Sequence, residues 1–461
     1  SYSFPLQGIL INNSIAMKKI FYLIFILSFI SCNHQKKELT VNLETHEGYG
    51  VFRPGKVIIW PSSDSFDYKN VPTDIDEYVV RNLVLQKDHY FLNKYLSGQI
   101  SKEKFVKISE HLNIDTTKLT GENVDCEILF LIGTWNNKRI IIVDSDNDED
   151  FGDEIILKYN YPINRKKQKE ITDNLPVIET QYDYYENNEI ISKTLRIKPS
   201  PYKGSLSLKF YTNNEIEKKY YLFASIPEYK KGEIFLNKVN CDIYVTNSFT
   251  QNTYKKDRTK LFISPKKETK PSEIDGDIPY EIGDVFNIKG HDYLIDSITK
   301  WGNKLFIQYL GENKYPVGVT EDLYMPKFEA KHLDNSVFTF KQHPDKYILF
   351  DFWGTWCNPC IKLIPDLKKL HSDFKDKNFV LVSVAFDKNK QTVIDFIEQN
   401  EMNWDHLFVS QKRSDENSLI NKLKISRFPS TILVAPDGKI IARNKDIEEL
   451  RKILNKRLNA L

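Results

Sequence analysis

Two rhythms of apolar and polar positions divide this chain. Through much of residues 48–323 the apolar residues come in short β-rich runs, such as 139–143, 206–211 and 219–223. Residues 284–310 read as a meander, with turns at Lys289-Gly290-His291 and Trp301-Gly302-Asn303. One stretch, 90–113, breaks the pattern: Phe91, Leu92, Tyr95 and Leu96, then Phe105, Ile108 and Leu112, recur at helical spacing. Lys, Pro and acidic residues crowd 264–277, which reads as a loop. After residue 324 strands and helices alternate. Strand 347–353, helix 359–373, strand 379–385, helix 390–400, strands 431–435 and 439–442, and helix 447–458 follow one another. That order predicts a central sheet with helices on both faces. The expected architecture is therefore multidomain: a β-rich, sandwich-like N-terminal region over 48–323 with some helix, and an α/β domain over 324–461.

The N-terminus has its own pattern. Met17-Lys18-Lys19 precedes an apolar run, 20–30, that ends at Ser31-Cys32. A basic start, a short apolar stretch and a small residue before a cysteine are the parts of an export signal. The run is short for a membrane-spanning helix. Its end resembles a bacterial lipoprotein signal, which implies acylation of Cys32. The bulky Phe29 and Ile30 depart from that signal. Residues 1–31 are then an upstream extension and signal peptide, and polar residues 32–47 a tether.

At 461 residues the chain is too long for one typical core. Its 65 basic and 63 acidic residues leave a net charge of +2. That balance, with no basic patch interleaved with aromatics and no glycine-rich phosphate loop, gives no reason to expect a nucleic acid partner. Five cysteines are present. Cys126 and Cys241 each open a strand-like run, and both pairing and separate burial remain open for them.

The strongest chemical signal is Trp356-Cys357-Asn358-Pro359-Cys360 at the junction of a hydrophobic strand and a helix. At a helix start the unpaired N–H groups and the macrodipole favour a thiolate on the first sulfur. The second sulfur lies one turn further in, within reach of a small disulfide ring. Pro359 falls in the first turn, where its missing N–H costs nothing. A zinc knuckle needs two further ligands at short spacing, and the nearest histidines, His343 and His371, lack that arrangement. The pair therefore reads as a thiol-disulfide redox centre. Cys357 is the expected nucleophile and the exposed sulfur, and Cys360 the resolving thiol.

Residues 325–461 resemble a thioredoxin-fold domain, and more narrowly the TlpA/ResA-type membrane-tethered thiol-disulfide reductases. The resemblance rests on 350–360, on Pro365 in the active-site helix, on Arg427-Phe428-Pro429-Ser430-Thr431 and on the turn Pro436-Asp437-Gly438-Lys439. It implies a cis peptide bond before Pro429, with Phe428 offering backbone groups to an extended substrate. It also implies a short leading hairpin at 327–330 and 336–340. Trp356 is expected to line the site and Trp353 to support it, packed in the core. Asp351, six residues before Cys357, matches the aspartate buried beneath the disulfide of cytoplasmic thioredoxins. By that resemblance it takes and returns the proton of Cys360, a role that suits a carboxyl whose pKa burial raises. Several anchored relatives carry a glutamate three residues after the second cysteine; Ile361, Lys362 and Leu363 supply none here.

The implied function is reduction of oxidised thiols in exported proteins, at the periplasm-facing side of the cell envelope, with electrons from an upstream membrane donor. No cofactor is required for such exchange. Oxidase or isomerase activity, and a binding lipoprotein with an accessory thioredoxin domain, are the alternatives. One loop invites a metal: Asp144, Asp146, Asp148 and Asp150 place oxygens at alternate positions, as calcium sites do. Glu149 and Ile155 stand where an EF-hand loop has glycine and glutamate, so a structural calcium competes with a solvated acidic turn.

Overall fold

The computed structural model describes residues 37–458 except 62–67, 162–164, 202–213, 267, 269, 274–276 and 412–417. The export signal, Cys32 and the strand expected at 206–211 lie outside the described residues.

The C-terminal domain is built on a seven-stranded mixed sheet. Its spatial order is Val337–Phe338, Ala330–His332, Asp405–Ser410, Phe379–Asp387, Tyr347–Trp353, Ser430–Val434 and Ile440–Arg443. The three strands from Tyr347, Phe379 and Asp405 run parallel; the remaining pairs are antiparallel. Tyr347–Trp353 and Phe379–Asp387 are almost continuously apolar because helices or loops cover both faces. On one face Leu349, Leu381 and Leu433 meet Leu367, Leu370 and Phe374 of helix Asn358–Phe374, with Leu450 and Leu454 of helix Ile447–Leu458. Each such buried side chain contributes about 1.5–3 kcal/mol. On the other face Phe350, Phe352, Val382, Val384 and Ile432 pack with Phe338, Leu419 and Leu423. The expected leading hairpin is present as Ala330–His332 and Val337–Phe338. Strand Asp405–Ser410 was not expected from the sequence. It is short, carries polar residues at both ends and exists by pairing with Val382–Asp387.

Among the described residues the N-terminal region has three antiparallel sheets. A four-stranded sheet (Glu38–Asn42, Lys304–Glu312, His291–Ile298, Val285–Ile288) shares one core with a five-stranded sheet. Val41, Phe286, Ile295 and Ile307 meet Leu236, Ile243, Val245 and Leu261 there, a sandwich as expected. The third sheet has eight strands and carries a cluster containing Ile59, Phe130, Ile141, Tyr182, Ile197 and Leu222 on one face and a smaller one with Leu129, Leu131, Ile140 and Phe151 on the other.

Several local expectations are corrected. Residues 38–47 are no tether: Glu38–Asn42 pairs with residues 304–308 and Glu44–Glu47 with residues 228–231. Polar composition hid a strand whose Val41 is buried, with Leu43 buried beyond it. The helical stretch is two helices, Lys87–Leu96 and Lys102–Leu112. Gly98 in a left-handed conformation (φ +78°) separates them, and Ser101 caps the second by accepting the Lys104 N–H. Lys219 closes a short helix, Glu215–Lys219, and the strand begins only at Leu222. Of the two outcomes left open for Cys126 and Cys241, separate burial holds: they are free thiols in different clusters.

The two regions share an edge. The Asp322 N–H donates to the Ile440 carbonyl (2.9 Å), the Ile440 N–H to the Leu323 carbonyl (2.8 Å) and the Met325 N–H to the Gly438 carbonyl (2.9 Å). A boundary at residue 323/324 therefore cuts through a segment that extends the C-terminal sheet.

Candidate active site

Cys357 and Cys360 form a disulfide, S–S 2.03 Å and Cα–Cα 5.3 Å. Cys357 is the N-cap of helix Asn358–Phe374, and its sulfur accepts the Cys360 N–H at 3.2 Å. Pro359 lies in the first helical turn, so a donor absent from this residue is one the helix does not need. On reduction, the Cys360 N–H and the helix macrodipole remain at the Cys357 sulfur, an environment that favours a thiolate. The expectation that Cys357 is the exposed sulfur does not hold. Cys357 and Cys360 are each 3% exposed, packed with Trp353, Ile364, Ala385, Val393 and Met402.

Asp351 sits in the middle of strand Tyr347–Trp353. Side chains alternate along a strand, so Asp351 shares its face with Leu349 and Trp353. Leu349 packs on the middle of the active-site helix and Trp353 on the cysteine pair, which places Asp351 between them beneath that helix. It is 2% exposed. Burial raises its carboxyl to about 7, against a smaller lowering by a hydrogen bond from Ser383. That bond spans 3.0 Å. The Ser383 hydroxyl oxygen itself accepts the Trp404 indole N–H at 2.9 Å, which leaves the hydroxyl proton for Asp351. Ser383 and Trp404 are partners that no motif announces.

The peptide bond Phe428–Pro429 is cis. The Phe428 ring stacks on Phe386 (centroids 5.5 Å apart) and meets Trp356 edge-on (5.3 Å). Trp356 is 49% exposed, the open aromatic face beside the cysteines. Trp353 is buried against Phe396, as expected for core packing. The structure thus brings Trp356, Cys357, Cys360, Phe428 and Pro429 to one end of the sheet, with Asp351 two residues inside that end of its strand. Sequence reasoning missed Asp387, at the end of the adjacent strand; it is 6% exposed and accepts hydrogen bonds from Thr355. Its only sequence signal was an acid terminating an apolar run.

The other candidates stand apart. Cys126 donates to the Gln86 carbonyl, and burial pushes its thiol pKa up. Burial likewise pushes Cys241 up to about 11, so neither is poised as a nucleophile. In the acidic loop, carboxylate oxygens of Asp144, Asp146 and Asp148 lie within 4.8 Å of one another. Asp144 is buried and accepts the Asp148 and Glu149 backbone N–H groups. Asp150 turns away from that group to Asn70 and the Gly152 N–H.

The family model described as thioredoxin-like matches residues 345–440. The thiol-disulfide oxidoreductase ResA of Oceanobacillus iheyensis is 28% identical over 131 residues, which cover 28% of this chain and 65% of that protein. ResA of Bacillus thuringiensis is 27% identical over 134 residues, 28% of this chain and 75% of the relative. This chain thus spans just under two thirds of the Oceanobacillus protein. Among solved structures, the thioredoxin domain of a thiol-disulfide oxidoreductase from Bacteroides vulgatus aligns at 27% identity with TM-score 0.28, covering 31% of this chain and 99% of that domain. Among the described residues no helix is long and apolar enough to cross a membrane.

Proposed function

We propose that this chain, whose residues 345–440 match a thioredoxin-like family, is a thiol-disulfide oxidoreductase that reduces disulfides of exported proteins. The observation that carries the proposal is the Cys357–Cys360 disulfide at a helix N-terminus beside a cis-proline loop and an open tryptophan face. In the reduced protein the Cys357 thiolate attacks one sulfur of a substrate disulfide. A Cys357–substrate S–S bond forms, the substrate S–S bond breaks, and the departing substrate thiolate takes up a proton. Cys360 then loses its proton to Asp351 and attacks Cys357. This forms the Cys357–Cys360 bond and expels the second substrate thiolate, which is protonated in turn. Two electrons leave the enzyme and two thiols appear on the substrate. A two-electron donor restores the reduced pair, and an upstream membrane electron donor fits that role.

The substrate's extended segment lies against Phe428 and Pro429 by strand addition. The chain acts at the cell envelope, facing the periplasm, anchored by lipid on Cys32. The support for the anchor is the order basic, apolar, small, cysteine at 18–32. Mass spectrometry of the mature protein should find an acyl mass on Cys32, and an unmodified Cys32 removes the anchor from the proposal.

The central test is kinetic. Cys357→Ser should abolish turnover of insulin disulfides in the presence of dithiothreitol, and Cys360→Ser should accumulate mixed disulfides. Turnover that survives Cys357→Ser overturns the assignment.

A further inference from the structure

The turn that presents Cys357 hangs from the neighbouring strand. Pairing between Tyr347–Trp353 and Phe379–Asp387 ends at Trp353 and Ala385. Beyond that point side chains take over. The Thr355 N–H donates to Asp387 Oδ2 at 2.9 Å and the Thr355 hydroxyl donates to the same oxygen at 2.6 Å. The Trp356 indole N–H donates to the Phe386 carbonyl at 2.9 Å. The second oxygen of Asp387 accepts the Lys388 N–H at 2.8 Å. Asp387 is itself fixed: its residue pairs with Ser410, and its carbonyl accepts the Gln411 N–H. Hydrogen bonds to a carboxylate are about twice as strong as neutral ones, and this one is sheltered from water. Gly354 allows the close approach. A Cβ there would lie 2.8 Å from the Phe386 carbonyl oxygen, a backbone atom that cannot step aside.

We infer that Asp387 is a positioning residue for disulfide exchange: through Thr355 it fixes the turn that holds Cys357 at the helix N-cap. The inference rests on the exchange reaction proposed above. Thr355 is two residues from Cys357, and the Cys357 N–H donates to the Gly354 carbonyl at 3.0 Å, so the clamped segment leads directly into the N-cap. Released from Asp387, the turn loses two of the three bonds that tie it to the neighbouring strand and with them part of the hold on Sγ. Small misplacements of a reacting atom are costly, reaching roughly 100-fold for about 1 Å.

The test uses the full chain. Asp387→Ala should lower kcat for insulin reduction about 10-fold with KM changed less, a size within that range. It should slow alkylation of Cys357 by iodoacetamide in the reduced protein to a similar degree. Thr355→Val removes only the hydroxyl bond at unchanged charge and should cost about threefold, near the worth of one hydrogen bond. Thr355→Ser, which restores the hydroxyl, should return both rates to near the wild-type level. A double variant, Asp387→Ala with Thr355→Val, should be no slower than Asp387→Ala alone. If Asp387→Ala does not fold, the Thr355 pair decides. Folded variants that alkylate at the wild-type rate overturn the inference, even if their melting temperatures fall. A wild-type chain that reduces no disulfide overturns the functional reading instead, and the alkylation rates still judge Asp387.

Discussion

The buried carboxyl of Asp351 makes a pH-dependent contribution whose sign follows from its environment. Its pKa is about 7 in the folded chain against an ordinary 3.8. Between those values the folded state holds a proton that the unfolded state has released. Stability from this group is therefore fully present below about pH 4 and falls as pH rises through 7, by at most about 4 kcal/mol. Asp351→Asn, which keeps an acceptor for Ser383, removes that loss. Urea denaturation should show the variant more stable than wild type by about 2–4 kcal/mol at pH 8 and close to it at pH 4. The same substitution should slow the resolving step more than the first attack by Cys357. Equal pH slopes in the two proteins would show that Asp351 carries no buried titration. Its position was anticipated from the resemblance to cytoplasmic thioredoxins, and strand alternation, which puts residues 349, 351 and 353 on one face, agrees with it. Its hydrogen-bond chain was not: Ser383 is 32 residues away and Trp404 a further 21. The concealment of Cys357 was likewise illegible, since the residues that cover it come from separate segments.

At the scale of elements, strong periodicity survived folding and weak periodicity did not. Strand Tyr347–Trp353 and helix Ile447–Leu458 lie where the pattern places them. The apolar face of each is long enough to fix its identity. Helix Asn358–Phe374 was equally plain, with Cys360, Ile364, Leu367 and Leu370 at spacings of three and four. Asp405–Ser410 lacked such a face and is a strand because residues 382–387 supply its hydrogen bonds. The split at Ser97-Gly98 was written in local chemistry, a glycine and then a capping serine, but the surrounding apolar residues continued across it. The cysteine turn combines both cases. Its motif is sequential, whereas the bonds that hold it come from the end of a neighbouring strand.

Across the whole molecule, the N-terminal region and the C-terminal domain share more than a covalent link. Residues 322–325 pair with residues 438–440, the Arg443 guanidinium donates to the Val319 carbonyl at 2.8 Å, and Lys424 meets Asp284 at 2.6 Å. Lys424 and Asp284 are about 30% exposed, so that ion pair contributes roughly 1 kcal/mol or less. The edge pairing matters more, because an uncovered strand edge invites association. A fragment starting at residue 326 should therefore be less stable than one starting at 314, and should self-associate as its concentration rises. Size-exclusion chromatography and thermal unfolding of the two fragments check this. Identical behaviour would show that residues 316–325 neither stabilise the domain nor shield its edge. The ordering of residues 38–47, part of the expected tether, belongs to this scale as well. Glu38–Asn42 is ordered by pairing with residues 304–308, on the far side of the N-terminal region in sequence.

The cis bond before Pro429 was expected only from the family resemblance. By itself the sequence determined the redox pair, the strand and helix that carry it and the β-rich character of much of residues 48–323. All of these depend on contacts between residues near one another in the chain, or on a period that repeats within one element. The tertiary structure alone decided how the strands are shared among three N-terminal sheets, where residues 38–47 pair, that Cys126 and Cys241 stay apart, and that Asp387 holds the cysteine turn. Each of these is a contact between segments distant in sequence. A strand exposes the same unpaired N–H and C=O groups to any neighbour of suitable length, so only the packing of whole faces selects the partner.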